Sequence, residues 1–250
     1  MKKVALWTLP LVLVAAAVVF PLQAASPIKV GPVAPIEDLV AEADEKAKAL
    51  EEALKTSDSY NQGKKKSIPQ DAVILAILAQ AIAEHDGAAA WKEGAPEVRA
   101  AAGALAKAAS YDEAKKALDG VKSGMSGKKG SAPADVKWVE LSNLDAVMSE
   151  VNKRNGVLRR ATKKVPDDPT DAARDASVLA VLAIVTHEDT HEVKNKADIG
   201  KWQQMCKDMQ THMTAVAAGL KKKDGAAASD AFKKAGQTCS DCHKVFREDG

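Results

Sequence analysis

Apolar residues recur along this chain with helical spacing, and no stretch alternates with period two for long enough to predict a strand. Residues 36–55 predict a helix whose seam is Leu39, Ala43, Ala47, Leu50 and Leu54. The polar stretch 57–70, with Gly63 and three lysines, reads as a loop. Residues 71–85 are apolar on several sides and predict a central helix; further helices follow at 96–109, begun by Pro96, and at 111–122. Residues 124–133 hold three glycines and a proline and mark the best boundary in the chain.

Beyond that boundary the plan repeats. A helix is expected over 143–164, capped by Ser142 with Asp145 three residues on, then a long apolar helix over 171–193. A third follows 199–200 and runs to 223, and Ser229 is placed to cap a fourth. The halves also align: Asp71-Ala72-Val73-Ile74-Leu75-Ala76 lies against Asp175-Ala176-Ser177-Val178-Leu179-Ala180, and Trp91 against Trp202. A chance match between two alanine-rich helices is the alternative. Residues 1–24 have the build of a secretory signal, with Lys2-Lys3 before an apolar core and small or apolar residues for cleavage at Leu22-Gln23-Ala24, followed by Ala25; an uncleaved anchor is the other reading. A loose leader is expected at 25–34. The expected architecture is therefore all-α: two tandem up-down four-helix-bundle units, 35–123 and 134–250, joined by a linker at 124–133.

Composition agrees. The 250 residues are 46 % hydrophobic but only 4 % aromatic, and 28 % are charged, a helix-forming mixture with small residues for helix contacts. A net charge of +2, near zero once Lys2 and Lys3 are removed, gives no sign of nucleic-acid binding. The groups Lys64-Lys65-Lys66 and Lys221-Lys222-Lys223 read as solvated charges or as a docking patch for an acidic partner.

The chemistry is concentrated near the C-terminus, in Cys239-Ser240-Asp241-Cys242-His243. Cys-x-x-Cys-His is the attachment signature of a c-type haem; a local disulfide or a redox dithiol are the other readings. On a helix the three side chains share one face, so two thiols can bind the vinyl groups of one porphyrin while the imidazole meets the iron. Phe232, Ala235, Cys239, Cys242 and Phe246 form a seam, which directs both cysteines to the core and a haem to the middle of the second unit. Gly236 either lets the backbone approach the porphyrin or is merely tolerated. Cys206 has no evident partner and reads as a small buried apolar residue. In the first half Val121, Gly124 and Met125 take the places of Cys239, Cys242 and His243, so one haem is expected, not two.

This C-terminal motif, followed by Phe246 and Arg247, resembles the cytochrome c′ family, the class II c-type cytochromes, over about residues 142–250. The resemblance extends to Val151-Asn152-Lys153-Arg154-Asn155-Gly156-Val157-Leu158, with Asn155 in place of the family's Gln. It implies a covalent haem c with Cys239 and Cys242 as thioether links and His243 as proximal ligand. It further implies Leu158 over the opposite haem face, and Arg154, Asn155 and Arg247 as partners of the propionates. The first half, a haemless repeat, departs from the family's single-unit plan; packing, dimerisation or presentation of the haem domain are its expected uses. Up-down topology brings Met148, Leu158, His187, His191, Trp202, Met205, Cys206 and Met209 toward the haem end. Leu158 would leave the iron five-coordinate and open to NO or CO, whereas Met148 or His187 as sixth ligand would suit electron transfer alone. The favoured expectation is a periplasmic electron carrier serving redox partner proteins, soluble once the signal is cleaved. His187-Glu188-Asp189-Thr190-His191 also fits the zinc-hydrolase pattern H-E-x-x-H, a remote alternative.

Overall fold

The computed structural model describes residues 29–247; the expected signal segment 1–24 lies outside them. Among the described residues there are nine α-helices and no strand. They are α1 (Ile36–Ala53), α2 (Ser57–Gly63), α3 (Ser67–Glu84), α4 (Ala95–Ala106), α5 (Tyr111–Met125), α6 (Leu144–Lys163), α7 (Thr170–Glu188), α8 (Ile199–Lys221) and α9 (Gly225–Phe246). In the first group α3 packs on α1 and α4, and α5 on α4 and α1; in the second, α7 packs on α6 and α8, and α9 on α8 and α6. The expected seam of α1 is buried at Leu39, Ala43, Leu50 and Leu54. α3 is long and apolar enough to cross a membrane by composition, but most of it is buried among its neighbours as the centre of the first group.

Several local expectations are corrected. Residues 57–63 form a helix rather than a loop, because Thr56 and Ser59 cap each other's backbone N–H groups in a capping box. Asn143, not Ser142, caps α6 by accepting from the Ala146 N–H; the Ser142 hydroxyl donates to Asp189 instead. Asp224, not Ser229, caps α9 by accepting from the Ala227 N–H at 3.0 Å. The segment expected to be loose is packed from Val30 onward: Val30 and Ala34 are buried, the Val33 carbonyl accepts from Thr214 of α8, and the Ala34 carbonyl meets His85, just past α3.

The glycine-rich connection does not divide the core. One buried cluster runs through both groups, from Leu75 and Val98 to Val178 and Val216. Across it, α1 presents a second, polar stripe to α6, α7 and α8. Asp38, Glu42 and Lys46, four residues apart, are all buried. Asp38 accepts from the Ser177 hydroxyl at 2.6 Å and from Lys221 Nζ at 2.9 Å, so Lys221 is not simply solvated. Lys46 reaches Asp71 at 2.6 Å and Glu150 at 2.9 Å. Arg154 of α6 lies at the centre. Its Nε donates to Glu150 at 2.9 Å, and its terminal nitrogens to Glu42, Glu150 and Asp175. All five guanidinium N–H groups are thus directed at carboxylates. Burial opposes the charge on Arg154, but these three carboxylates more than offset it and strengthen its hold on the proton.

Candidate functional site

α9 owes its helix to an alanine-rich start capped by Asp224, and its inward face is the expected seam. Ala228, Ala231 and Ala235 belong to the main core, with Phe232 at its edge. From Cys239 onward the helix leaves that core. Cys242 and Phe246 join a separate cluster with Val193, Trp202, Cys206, Leu144 and Ile199 at one end of the second group. Trp202 anchors this cluster: its Nε1 donates to the Thr186 carbonyl at 2.8 Å, and its ring meets Phe246 edge-on at 5.2 Å. The cysteine pair therefore stands between two apolar clusters.

All three cysteines are free thiols; Cys206 is buried, and Cys239 and Cys242 are half-buried. Cys239 Sγ lies 3.8 Å from Met209 Sδ. Burial pushes the Cys206 thiol up to about 12 and, with Cys239 beside it, Cys242 up to about 11; burial raises Cys239 too. These are protonated thiols near neutrality, whereas a redox dithiol depends on a lowered pKa. His243 is exposed on the flank of the seam. Gly236 faces open space, with nothing within 4 Å of where a Cβ would stand.

The heights of other residues follow from the helix rise. Leu144 packs in the cluster that holds Cys242, and Val165 lies beside Gly225 at the opposite end. Leu158 is fourteen residues along α6 from Leu144 and seven from Val165, about 21 and 10 Å, so Cys239 and Leu158 differ in height by about 10–16 Å. Leu158 is wholly buried in the main core. Met148, about 6 Å from Leu144 along the axis, is level with the cysteines and partly buried. Arg154, which the resemblance assigned to a propionate, has no donor left for one. Asn155 is half-buried beside it, and Arg247 is exposed just past α9, in a cleft with Asn195, Asp198 and Phe246.

α7 ends at Glu188, five residues earlier than its apolar run predicts, because Asp189 leaves the helical conformation (φ −92°, ψ 104°). His191 is therefore off the helix, and the i, i+4 geometry of a zinc helix does not form. His191 pairs with Asp189 and, at 3.0 Å, with Glu192. Among the described residues no group of three His, Cys, Asp or Glu side chains is placed to hold a metal ion. His187 is different. It is buried in the last turn of α7, its Nδ1 is 2.8 Å from Glu188 Oε1, and its buried Nε2 has no hydrogen-bond partner. Such an orphan costs about 1–3 kcal/mol unless something absent from the polypeptide supplies the partner. The sequence singled out His187, but only the packing exposed this deficit.

The first group is closed at the corresponding place. Val121 is wholly buried. At Gly124 a Cβ would come within 2.7 Å of Val98 Cγ2 and 2.8 Å of the Val98 backbone nitrogen. α4 and α5 thus touch where α8 and α9 carry their cysteines. Comparison with known proteins finds no matching family model, no matching curated protein and no matching solved structure.

Proposed function

We propose that the chain is an exported c-type cytochrome of two tandem four-helix units in the manner of cytochrome c′, with one covalent haem c on the second. Cys239 and Cys242 would form the thioethers, and His243, beside them on the flank of the seam, would be the proximal ligand. The observation that carries this reading is the Cys-x-x-Cys-His pattern realised as two free, half-buried thiols on the inward seam of α9. Their raised pKa values speak against a redox dithiol. The orphaned Nε2 of His187 at the same end of the group is the kind of vacancy that a bound group would fill. Bound haem supplies a one-electron centre, and the polypeptide holds it and shields it from water. The activity proposed is electron transfer with periplasmic redox partner proteins. The haemless first group serves as a brace: through Glu42, Lys46 and Asp38 it fixes α6, α7 and α8, which wall the site.

The test is production of the full chain with haem-attachment machinery, followed by denaturing electrophoresis and a pyridine haemochrome spectrum. One haem should survive denaturation in the wild type and be lost in the Cys239→Ala/Cys242→Ala double variant. A wild type without covalent haem would overturn the reading.

A further inference from the structure

We propose that His187 is the second axial ligand of the haem iron, so that the cofactor is held between two imidazoles. This rests on the haem reading above and adds to it the ligand, and with it the kind of redox centre.

The argument starts from the protons. A carboxylate only accepts, so the contact between His187 Nδ1 and Glu188 Oε1 at 2.8 Å puts the ring proton on Nδ1. Nε2 then carries a lone pair, and it is buried with no donor to meet it. A histidine that ligates a metal shows this same division: one nitrogen donates to a carboxylate, and the other is left for the metal. The equivalent end of α3 provides a contrast. His85 is also buried there, but its Nε2 meets the Ala34 carbonyl at 3.0 Å and its Nδ1 accepts from the Gly87 N–H at 2.7 Å. The group without cysteines has a satisfied imidazole, and the group with cysteines has an unsatisfied one. In the alignment of the two halves, Ala83 stands where the second has His187.

Position agrees. The Thr186 carbonyl, next to His187, is bound by Trp202, which packs with Cys206, Cys242 and Phe246. The last turn of α7 is therefore tied to the apolar cluster beside the cysteine pair. Met148, the rival at the cysteines' height, is packed against the main core, and a thioether sulfur leaves no donor or strong acceptor wanting. Two imidazoles would make the iron low-spin and closed to external ligands. They would also set its potential below that of a histidine–methionine pair.

The haem-loaded full chain decides the matter by absorption and electron paramagnetic resonance. The wild type should be low-spin in both oxidation states, with a reduced spectrum unchanged by CO and a ferric resonance of the two-imidazole type. His187→Ala should become high-spin when reduced and bind CO, and added imidazole should restore the low-spin spectrum; Met148→Leu should remain low-spin. A wild type that binds CO, a histidine–methionine resonance, or loss of the low-spin state in Met148→Leu would overturn the ligand while leaving the cytochrome reading intact. Absence of covalent haem would overturn both. The wild-type resonance decides even where His187→Ala fails to fold.

Discussion

Replacing Arg154 with methionine tests whether the two helical groups depend on a buried charge cluster. Methionine approximates the volume, so the loss is chiefly electrostatic. It would leave Glu42 and Glu150 buried and Asp175 largely so, with Lys46 and Arg174 as the remaining positive charges at 2.9 and 3.4 Å from Glu150 and Glu42. Breaking a buried pair by removing one partner costs about 3–5 kcal/mol. For a chain of this size that corresponds to a fall in Tm of about 6–20 °C. The dependence on pH has a definite sign. Although burial opposes it, Arg154 and Lys46 hold the Glu150 pKa below the usual carboxylate value. Its contribution is therefore present above about pH 4.5 and lost as pH falls through the folded-state value. Asp175 is already raised by burial despite Arg154, so its ionised form weakens the fold as pH rises. Without the guanidinium both carboxyls move up, and the penalty of the variant is relieved by protonation. The wild type and Arg154→Met should thus differ more at about pH 8 than at about pH 5, by thermal and urea melts followed through circular dichroism. A difference under about 1 kcal/mol, or one that does not shrink with acid, would refute the cluster's role.

Three further outcomes follow from particular contacts. Gly124→Ala should lower stability by about 1–3 kcal/mol in chemical denaturation, since the new methyl meets Val98 in the close α4–α5 contact. Lys223, at φ 57° in the turn between α8 and α9, adopts a left-handed conformation that glycine takes without strain; Lys223→Gly should raise stability by about 0.5–1 kcal/mol in the same assay. In the haem-free chain at about pH 8, alkylation monitored by mass spectrometry should be slow at all three cysteines and slowest at Cys206. Fast labelling of Cys239 or Cys242 in the folded protein would show thiolates where protonated thiols are expected.

The helices and their apolar seams were legible because both depend on residues three and four apart. α1 shows where this stops. Its Leu39–Ala43–Leu50 seam is plain in the sequence, but Asp38, Glu42 and Lys46 look like a solvated flank until α6, α7 and α8 cover them. The same limit hid the partners of Arg154: a guanidinium one turn from Leu158 fits a family pattern, and its carboxylate partners on α1, α6 and α7 emerge only in the fold. Caps were missed for a more local reason. Ser142, Asn143 and Asp224 are all good cap residues, and the choice among neighbours depends on where the preceding chain turns.

By itself the sequence determined an all-helical chain, the register of each apolar face, and a Cys-x-x-Cys-His motif with both thiols on one seam. These are consequences of a period of 3.6 residues. Only the tertiary structure decided that one core spans both groups, that α7 stops short of His191, and that Leu158 is wholly buried in the main core. It also decided that the Nε2 of His187 is buried without a partner. Each of these depends on which helix faces which, and partners far apart in the chain carry no mark in the local pattern.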